Sequence, residues 1–262
     1  MSRYAWVTGA AGDLGRAACV ALADDGWSLF ATDHPAQAGR LEATRAACAA
    51  SGVEIVAATF DVTDEEDVAR FAEDVAARHG VPTAVVAAAG IQGEFTPVQD
   101  YDIDVLRRVL DVNVVGVFNT VKAAAAVMIR AGRSGSIVMV ASMAGVSGAP
   151  NMPAYAASKA ALIGLAKSAS RDLAPHGIRI NAVSPGFIGP GAMWDKQVVA
   201  QANAGSQYFA RDPETVARQM IDMVPLRRYG SPPEVADAIC YLAGERSSYL
   251  TGINIAIAGG AL

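Results

Sequence analysis

Cysteine and histidine each occur only three times in 262 residues. Cys19, Cys48 and Cys240 are far apart and odd in number. They fit neither a zinc-ligand spacing nor a disulfide framework, and they suit a reducing cytoplasm. His34, His79 and His176 are scattered in the same way, so no metal site is expected. Charge is sparse too: Asp, Glu, Lys and Arg make up 18% of the chain, the net charge is −5, and no run of five basic residues exists. That argues against nucleic acid or an anionic membrane surface as a partner. No uninterrupted apolar stretch reaches the length of a membrane span. Met1–Ser2–Arg3 passes at once into a strand pattern, leaving no room for a secretory signal. The expectation is a soluble cytoplasmic protein that acts on a small molecule.

The chain is rich instead in apolar residues, 52%, and in glycine, with 25. Such a chain can bury a large core, and residues 1–262 are expected to form one domain. Strand patterns fall at residues 4–7, 27–32, 53–60, 84–88, 136–141, 178–183 and 253–257, and helical patterns at 16–25, 37–50, 65–79, 104–128, 153–174 and 233–243. Asp64 is placed to cap the third of these helices and Gly80 to stop it. Residues 187–224 lack strand signals and carry two helical stretches, 193–202 and 213–223. An insertion of this kind before the last helix suits a lid. The alternation implies a Rossmann-type α/β fold, a doubly wound parallel sheet of about seven strands with helices on both faces.

Several chemistry-bearing residues fall at the ends of those strands, where such sheets hold their ligands. Thr8–Gly9–Ala10–Ala11–Gly12–Asp13–Leu14–Gly15 lies between the first strand and the first helix. Glycines there let the backbone turn tightly and approach a diphosphate, whose charge the helix N-terminus then meets. Asp33, about twenty positions on at the tip of the second strand, can bind both hydroxyls of an adenosine ribose and would repel a 2′-phosphate. No Arg or Lys stands in the glycine loop or directly after Asp33, which favours NAD over NADP. Tyr155 and Lys159 are four apart and so share one helix face. A fixed ammonium favours the phenolate, so the pair is expected to work as a proton acceptor near neutral pH. Ser142 ends the fifth apolar run and could hold the substrate oxygen.

On these residues the chain resembles the short-chain dehydrogenase/reductase family over essentially its whole length. The family's glycine motif matches Thr8, Gly9 and Gly15, its acidic NAD discriminator Asp33, its adenine-side acid Asp61, and its late turns Pro185–Gly186 and Thr251–Gly252. Its catalytic set falls on Asn113, Ser142, Tyr155 and Lys159. Several stretches are similar to NAD-dependent xylitol and related polyol dehydrogenases, among them Gly90–Ile91–Gln92–Gly93, Asn151–Met152–Pro153–Ala154–Tyr155 and Gly205–Ser206–Gln207–Tyr208–Phe209. The resemblance implies cofactor contacts from Gly9, Asp13, Leu14, Gly15, Asp33, Asp61, Val62, Ala89, Gly90, Tyr155, Lys159, Pro185, Gly186 and Ile188. It implies substrate contacts from Gln92, Ser142, Met143, Asn151, Tyr155 and Trp194, no metal, and a homotetramer.

Three positions depart from the family pattern. Asp13 stands at the middle glycine, where a carboxylate is unfavourable near a diphosphate unless it points away. Ala87–Ala88 replace an Asn pair that ties the central strands together. Pro190–Gly191 replace a threonine that often contacts the cofactor carboxamide, so another donor is needed. The implied activity is NAD-linked interconversion of a secondary alcohol and a ketone, with a polyol such as xylitol as substrate. The rivals are a reductase of cyclic or aromatic ketones and a catalytically silent NAD-sensing scaffold.

Overall fold

A computed structural model describes residues 3–261; Met1, Ser2 and Leu262 lie outside the described residues, and with them the start of the chain on which the absence of a secretory signal was read. In chain order the elements are β1 (Tyr4–Thr8), α1 (Asp13–Asp24), β2 (Ser28–Asp33), α2 (Ala38–Cys48), β3 (Ile55–Thr59), α3 (Glu65–Arg78) and β4 (Pro82–Ala87). They continue with α4 (Ile103–Leu110), α5 (Val117–Arg130), β5 (Gly135–Val140), α6 (Ala144–Ser147), α7 (Pro153–Leu173), β6 (Ile178–Pro185), α8 (Ala192–Asn203), α9 (Pro213–Asp222), α10 (Pro232–Ala243) and β7 (Asn254–Ile257). The strands form one seven-stranded sheet in the order β3-β2-β1-β4-β5-β6-β7, with every pair parallel. The chain reverses direction across the sheet between β1 and β4, which opens a crevice at their carboxyl ends.

Helices cover both faces, so the inner strands are almost wholly buried; all five residues of β1 are. Alternate side chains divide into two cores. Trp6 and Phe30 lie in one, with Val68 of α3, Val121 of α5 and Leu162 of α7. Ala5, Val7 and Leu29 lie in the other, with Leu22 of α1 and Ile239 of α10. Trp6 and Phe30 are fully buried, a contribution of about 1.5–3 kcal/mol for a large apolar side chain. Tyr4 stacks on Phe30 with ring centroids 4.9 Å apart, and the Trp6 indole N–H donates to Thr32 Oγ1 at 3.0 Å, so the one polar atom of that ring is satisfied.

The expected helix over 104–128 is observed as α4 and α5 joined by a π-helical turn, Asp111–Gly116. The helical stretch Ile103–Arg130, interrupted by polar residues such as Asn113 and Lys122, is by length and mean hydropathy enough to cross a membrane, but 67% of its most apolar window is buried inside the fold. Its hydropathy belongs to the core. Asp64 caps α3 as expected, its carboxylate accepting the Asp67 N–H at 2.9 Å. The insertion forms α8 and α9 with a small core of its own: Trp194, Val198, Ala202, Val216 and Met220, edged by Phe187 and Tyr229.

Candidate active site

Ser142, Tyr155 and Lys159 meet beyond the carboxyl end of β5. The Met143 N–H donates to Pro185 O at 2.9 Å, which pins the Ser142 turn to the end of β6. Pro153 at the first turn of α7 starts that helix, and two residues later it presents Tyr155. Lys159 is 4% exposed; its ammonium donates to Val140 O at 2.7 Å and lies 5.6 Å from the centroid of the Tyr155 ring. Burial pushes the Tyr155 phenol above its ordinary value, and a hydrogen bond with Ser142 draws it part of the way back. The same desolvation brings Lys159 down to about 8. The spacing argument has the ammonium lowering the phenol. In the fold, burial is the larger influence on the phenol and raises it, and the group that draws it down is Ser142.

Asn113 sits in the π-helical turn and is fully buried. Its Oδ1 accepts the Ile91 N–H at 2.8 Å, and its Nδ2 donates to Ile91 O at 2.8 Å and Ser158 Oγ at 2.9 Å. Ser158 Oγ in turn donates to Tyr155 O at 2.7 Å. The side chain therefore fastens the segment after β4 to the helix that carries Tyr155. A π turn at such a place is common at functional sites. The apolar residues of 104–128 read as one continuous helix and do not reveal it.

The nucleotide side fits an NAD-like group by its donors. Gly15 packs so close to Gly9 that an added Cβ would lie 2.1 Å from Gly9 O, and the N-terminus of α1 has no side-chain cap. Its amides are thus free to meet an anion. Asp33 closes β2 with Oδ2 accepting the Ala11 N–H at 2.8 Å and Oδ1 the His34 N–H at 2.7 Å, which fixes the carboxylate beside the loop. Asp61 accepts the Thr63 N–H at 3.0 Å and the Thr63 hydroxyl at 2.8 Å, and lies 3.6 Å from His34 Nε2 and 3.7 Å from an Arg108 nitrogen. Partial burial pushes Asp61 up, but these partners outweigh it and keep its pKa below the ordinary value. Leu14 and Ala89 are partly buried beside the glycine loop and at the end of β4, Gly90 lies just beyond, and Val62 is buried next to Asp61.

Two residues before Pro190, the main chain leaves a donor and an acceptor open. Gly230 N–H donates to Phe187 O and Gly189 N–H to Gly230 O, both at 2.9 Å. In this bridge the N–H and C=O of Ile188 face the other way, and they have no main-chain partner among the described residues. Gly186 is tied down by its N–H to Ile257 O at 2.9 Å. One donor and one acceptor on adjacent main-chain atoms suit a carboxamide.

The expected substrate residues divide. Met143 is buried beside Ser142. Trp194 lies in the core of the lid, 6.1 Å from the Phe187 ring and 5.3 Å from that of Tyr229. Gln92 donates through Nε2 to Gln197 Oε1 of α8 at 3.2 Å. Asn151, with φ of 63°, donates through Nδ2 to Gln201 Oε1 at 2.8 Å, and Gln201 returns a bond to Pro150 O at 3.0 Å. Two amide pairs thus hold α8 against the catalytic end. Gln201, one of the lid amides that a polyol pocket could use, is only 2% exposed. A glutamine on a helical pattern reads as solvated, and its partner is 50 residues away in the chain.

No group of three or more His, Cys, Asp or Glu is placed to hold a metal ion among the described residues. A family profile described as Enoyl-(Acyl carrier protein) reductase matches residues 9–261. Among solved structures, an NAD+-bound xylitol dehydrogenase is 46% identical, with a TM-score of 0.95 and 98% of each chain covered. The (3R)-3-hydroxyacyl-CoA dehydrogenase of Canis lupus familiaris is 35% identical over 267 residues, covering 99% of this chain and 96% of that enzyme. The levodione reductase of Leifsonia aquatica is 32% identical over 260 residues, covering 98% of this chain and 93% of its own. With the sheet order, the Ser142–Tyr155–Lys159 cluster and a match along nearly the whole chain, this protein belongs to the short-chain dehydrogenase/reductase family, oxidoreductases that act on CH–OH groups.

Proposed function

We propose that the chain is a single catalytic domain that interconverts a secondary alcohol and a ketone with NAD, and that its substrate is a polyol such as xylitol. The meeting of Tyr155, Lys159 and Ser142 at one sheet end carries this reading. Ser142 holds the substrate hydroxyl. Tyr155 takes its proton, and the ammonium of Lys159 stabilises the phenolate that results. NAD, when bound, supplies the hydride acceptor. Gly9, Leu14 and Gly15 hold its diphosphate, Asp33 its adenosine ribose, Asp61 and Val62 its adenine side, and Ala89, Gly90, Pro185, Gly186 and Ile188 its nicotinamide half. The side chain of Asn113 is already spent on Ile91 and Ser158, so its main-chain carbonyl in the π turn is what remains to seat a water on the proton path from Lys159.

Two features support the polyol. The structure of xylitol dehydrogenase is more similar to this chain than that of the levodione reductase, 46% against 30% identical. Gln92 pairs with Gln197 and Asn151 with Gln201, which joins the loop after β4 and the approach to α7 to the lid helix α8, and amides both donate to and accept from hydroxyls. In these pairs the side-chain oxygens of Gln92 and Asn151 accept nothing, so a pocket that offers them penalises an analogue lacking the hydroxyls, which leaves them unpaired. NADH formation is therefore expected to show higher kcat/KM for xylitol than for cyclohexanol or 2-pentanol, and Gln92→Ala narrows the gap. If cyclic ketones or simple alcohols are the better substrates, the site is that of a ketone reductase.

A homotetramer in a reducing cytoplasm completes the reading. Val115, Phe118 and Ile129 form an exposed apolar stripe on the long central helix, at 46%, 48% and 39% exposure, and Cys19, Cys48 and Cys240 are all free thiols.

A further inference from the structure

Asp13 and Gly191 both depart from the family pattern, and in the fold they touch. The carboxylate of Asp13 turns away from the N-terminus of its own helix and reaches the lid, where Oδ2 accepts the Met193 N–H at 3.4 Å. Its other oxygen faces the Arg40 guanidinium at 3.3 Å. Helix α8 has no side-chain cap of its own; its N-cap is Gly191. A Cβ on Gly191 would stand 2.6 Å from Asp13 Oδ2 and 3.0 Å from Cγ. Any larger residue at 191 therefore drives the carboxylate off Met193.

We propose that Asp13 is a positioning residue that latches the lid to the nucleotide loop by capping helix α8 from across the cleft, and that Gly191 is the space in which it does so. The latch closes the lid over the cofactor and slows its departure. A carboxylate at a helix N-terminus satisfies a free amide and meets the positive end of the helix dipole. Arg40 offsets part of the charge that would repel a diphosphate. The closure argument rests on the NAD reading above; the contact itself does not.

The test has one arm without cofactor and one with it. In the cofactor-free protein, amide hydrogen exchange over residues 189–199 is expected to speed up in Asp13→Ala and in Gly191→Ala. Asp13→Asn, whose side-chain oxygen still accepts the Met193 N–H, should keep wild-type protection. In the second arm, NADH dissociation is followed by its fluorescence. Asp13→Ala and Gly191→Ala should release NADH about tenfold faster, the loss of one hydrogen bond, and Asp13→Asn no faster than wild type. Gly191→Ala should add nothing in an Asp13→Gly background, since no carboxylate is left to displace. If Asp13→Ala does not fold, Gly191→Ala and Asp13→Asn carry the comparison. The latch is overturned if lid exchange is the same in every variant, or if Gly191→Ala has an equal effect with and without Asp13. Wild-type protein that binds no NADH would sink the proposed cofactor, while the exchange arm still decides the contact.

Discussion

Tyr155 and Lys159 are displaced in opposite senses by one cause. Desolvation disfavours charge on either, so the phenol rises and the ammonium falls to about 8. The ammonium lies 5.6 Å from the centre of the phenol ring. Once one proton has left the pair, the forms phenol–amine and phenolate–ammonium differ only in where the remaining proton sits, and the second is the base that alcohol oxidation needs. kcat/KM for oxidation is therefore expected to rise with pH as that proton leaves. A flat profile from neutrality to beyond about 8, where Lys159 loses its own proton, would remove the pair from the proton step. Tyr155→Phe keeps the ring and loses the acceptor: turnover should fall at least about a hundredfold, with NADH fluorescence titrations unchanged. Lys159→Ala should lose both, since it removes the cation and leaves a hole beside Val140 O.

At the level of elements, the joint between β1 and β4 holds an unsatisfied group. Thr8 pairs in register with Ala87, and the Ala88 N–H donates to Thr8 O at 3.3 Å. The Thr8 hydroxyl is buried without a partner. The family's Asn pair would place amides at 87 and 88; alanine supplies none. An unmade buried hydrogen bond costs about 1–3 kcal/mol, so Thr8→Val, which keeps the shape, is expected to raise stability by about 1 kcal/mol. Urea melts with a higher midpoint and the same slope would bear this out; a lower midpoint would mean that the hydroxyl is bonded after all. The elements themselves were legible from sequence because apolar runs such as Ile137–Val138–Met139–Val140 are too short for helices and too apolar for an exposed strand. Asp33, Ser142 and the Tyr155–Lys159 pair were legible because they stand at strand ends or at helical spacing. The partners of Asp13 and Asn151 were not: they lie 180 and 50 residues away, and nothing local marks a long-range bond. The direction of the Tyr155 shift was hidden for a related reason, because spacing records proximity but not the water that folding removes.

For the whole molecule, the exposed stripe on the long central helix is the face that the proposed tetramer would cover. Val115, Phe118, Lys122, Ala126 and Ile129 recur at intervals of three and four and are all exposed, a face that helix geometry aligns. A tetramer that covers it should be disrupted by Phe118→Glu, with a lower mass by light scattering and an unchanged circular dichroism spectrum. An unaltered mass would put the contact elsewhere.

The lid has a core that is separate from the two that sandwich the sheet. A segment that buries its own apolar side chains does not depend on the sheet for its internal order, so it can travel as a rigid flap hinged at its two ends. It is also transplantable. Residues 187–224 could be exchanged for the corresponding piece of a relative with another substrate, leaving the sheet intact, provided that the incoming piece honours three sockets: Asp13 for its leading helix, and Gln92 and Asn151 for its amides.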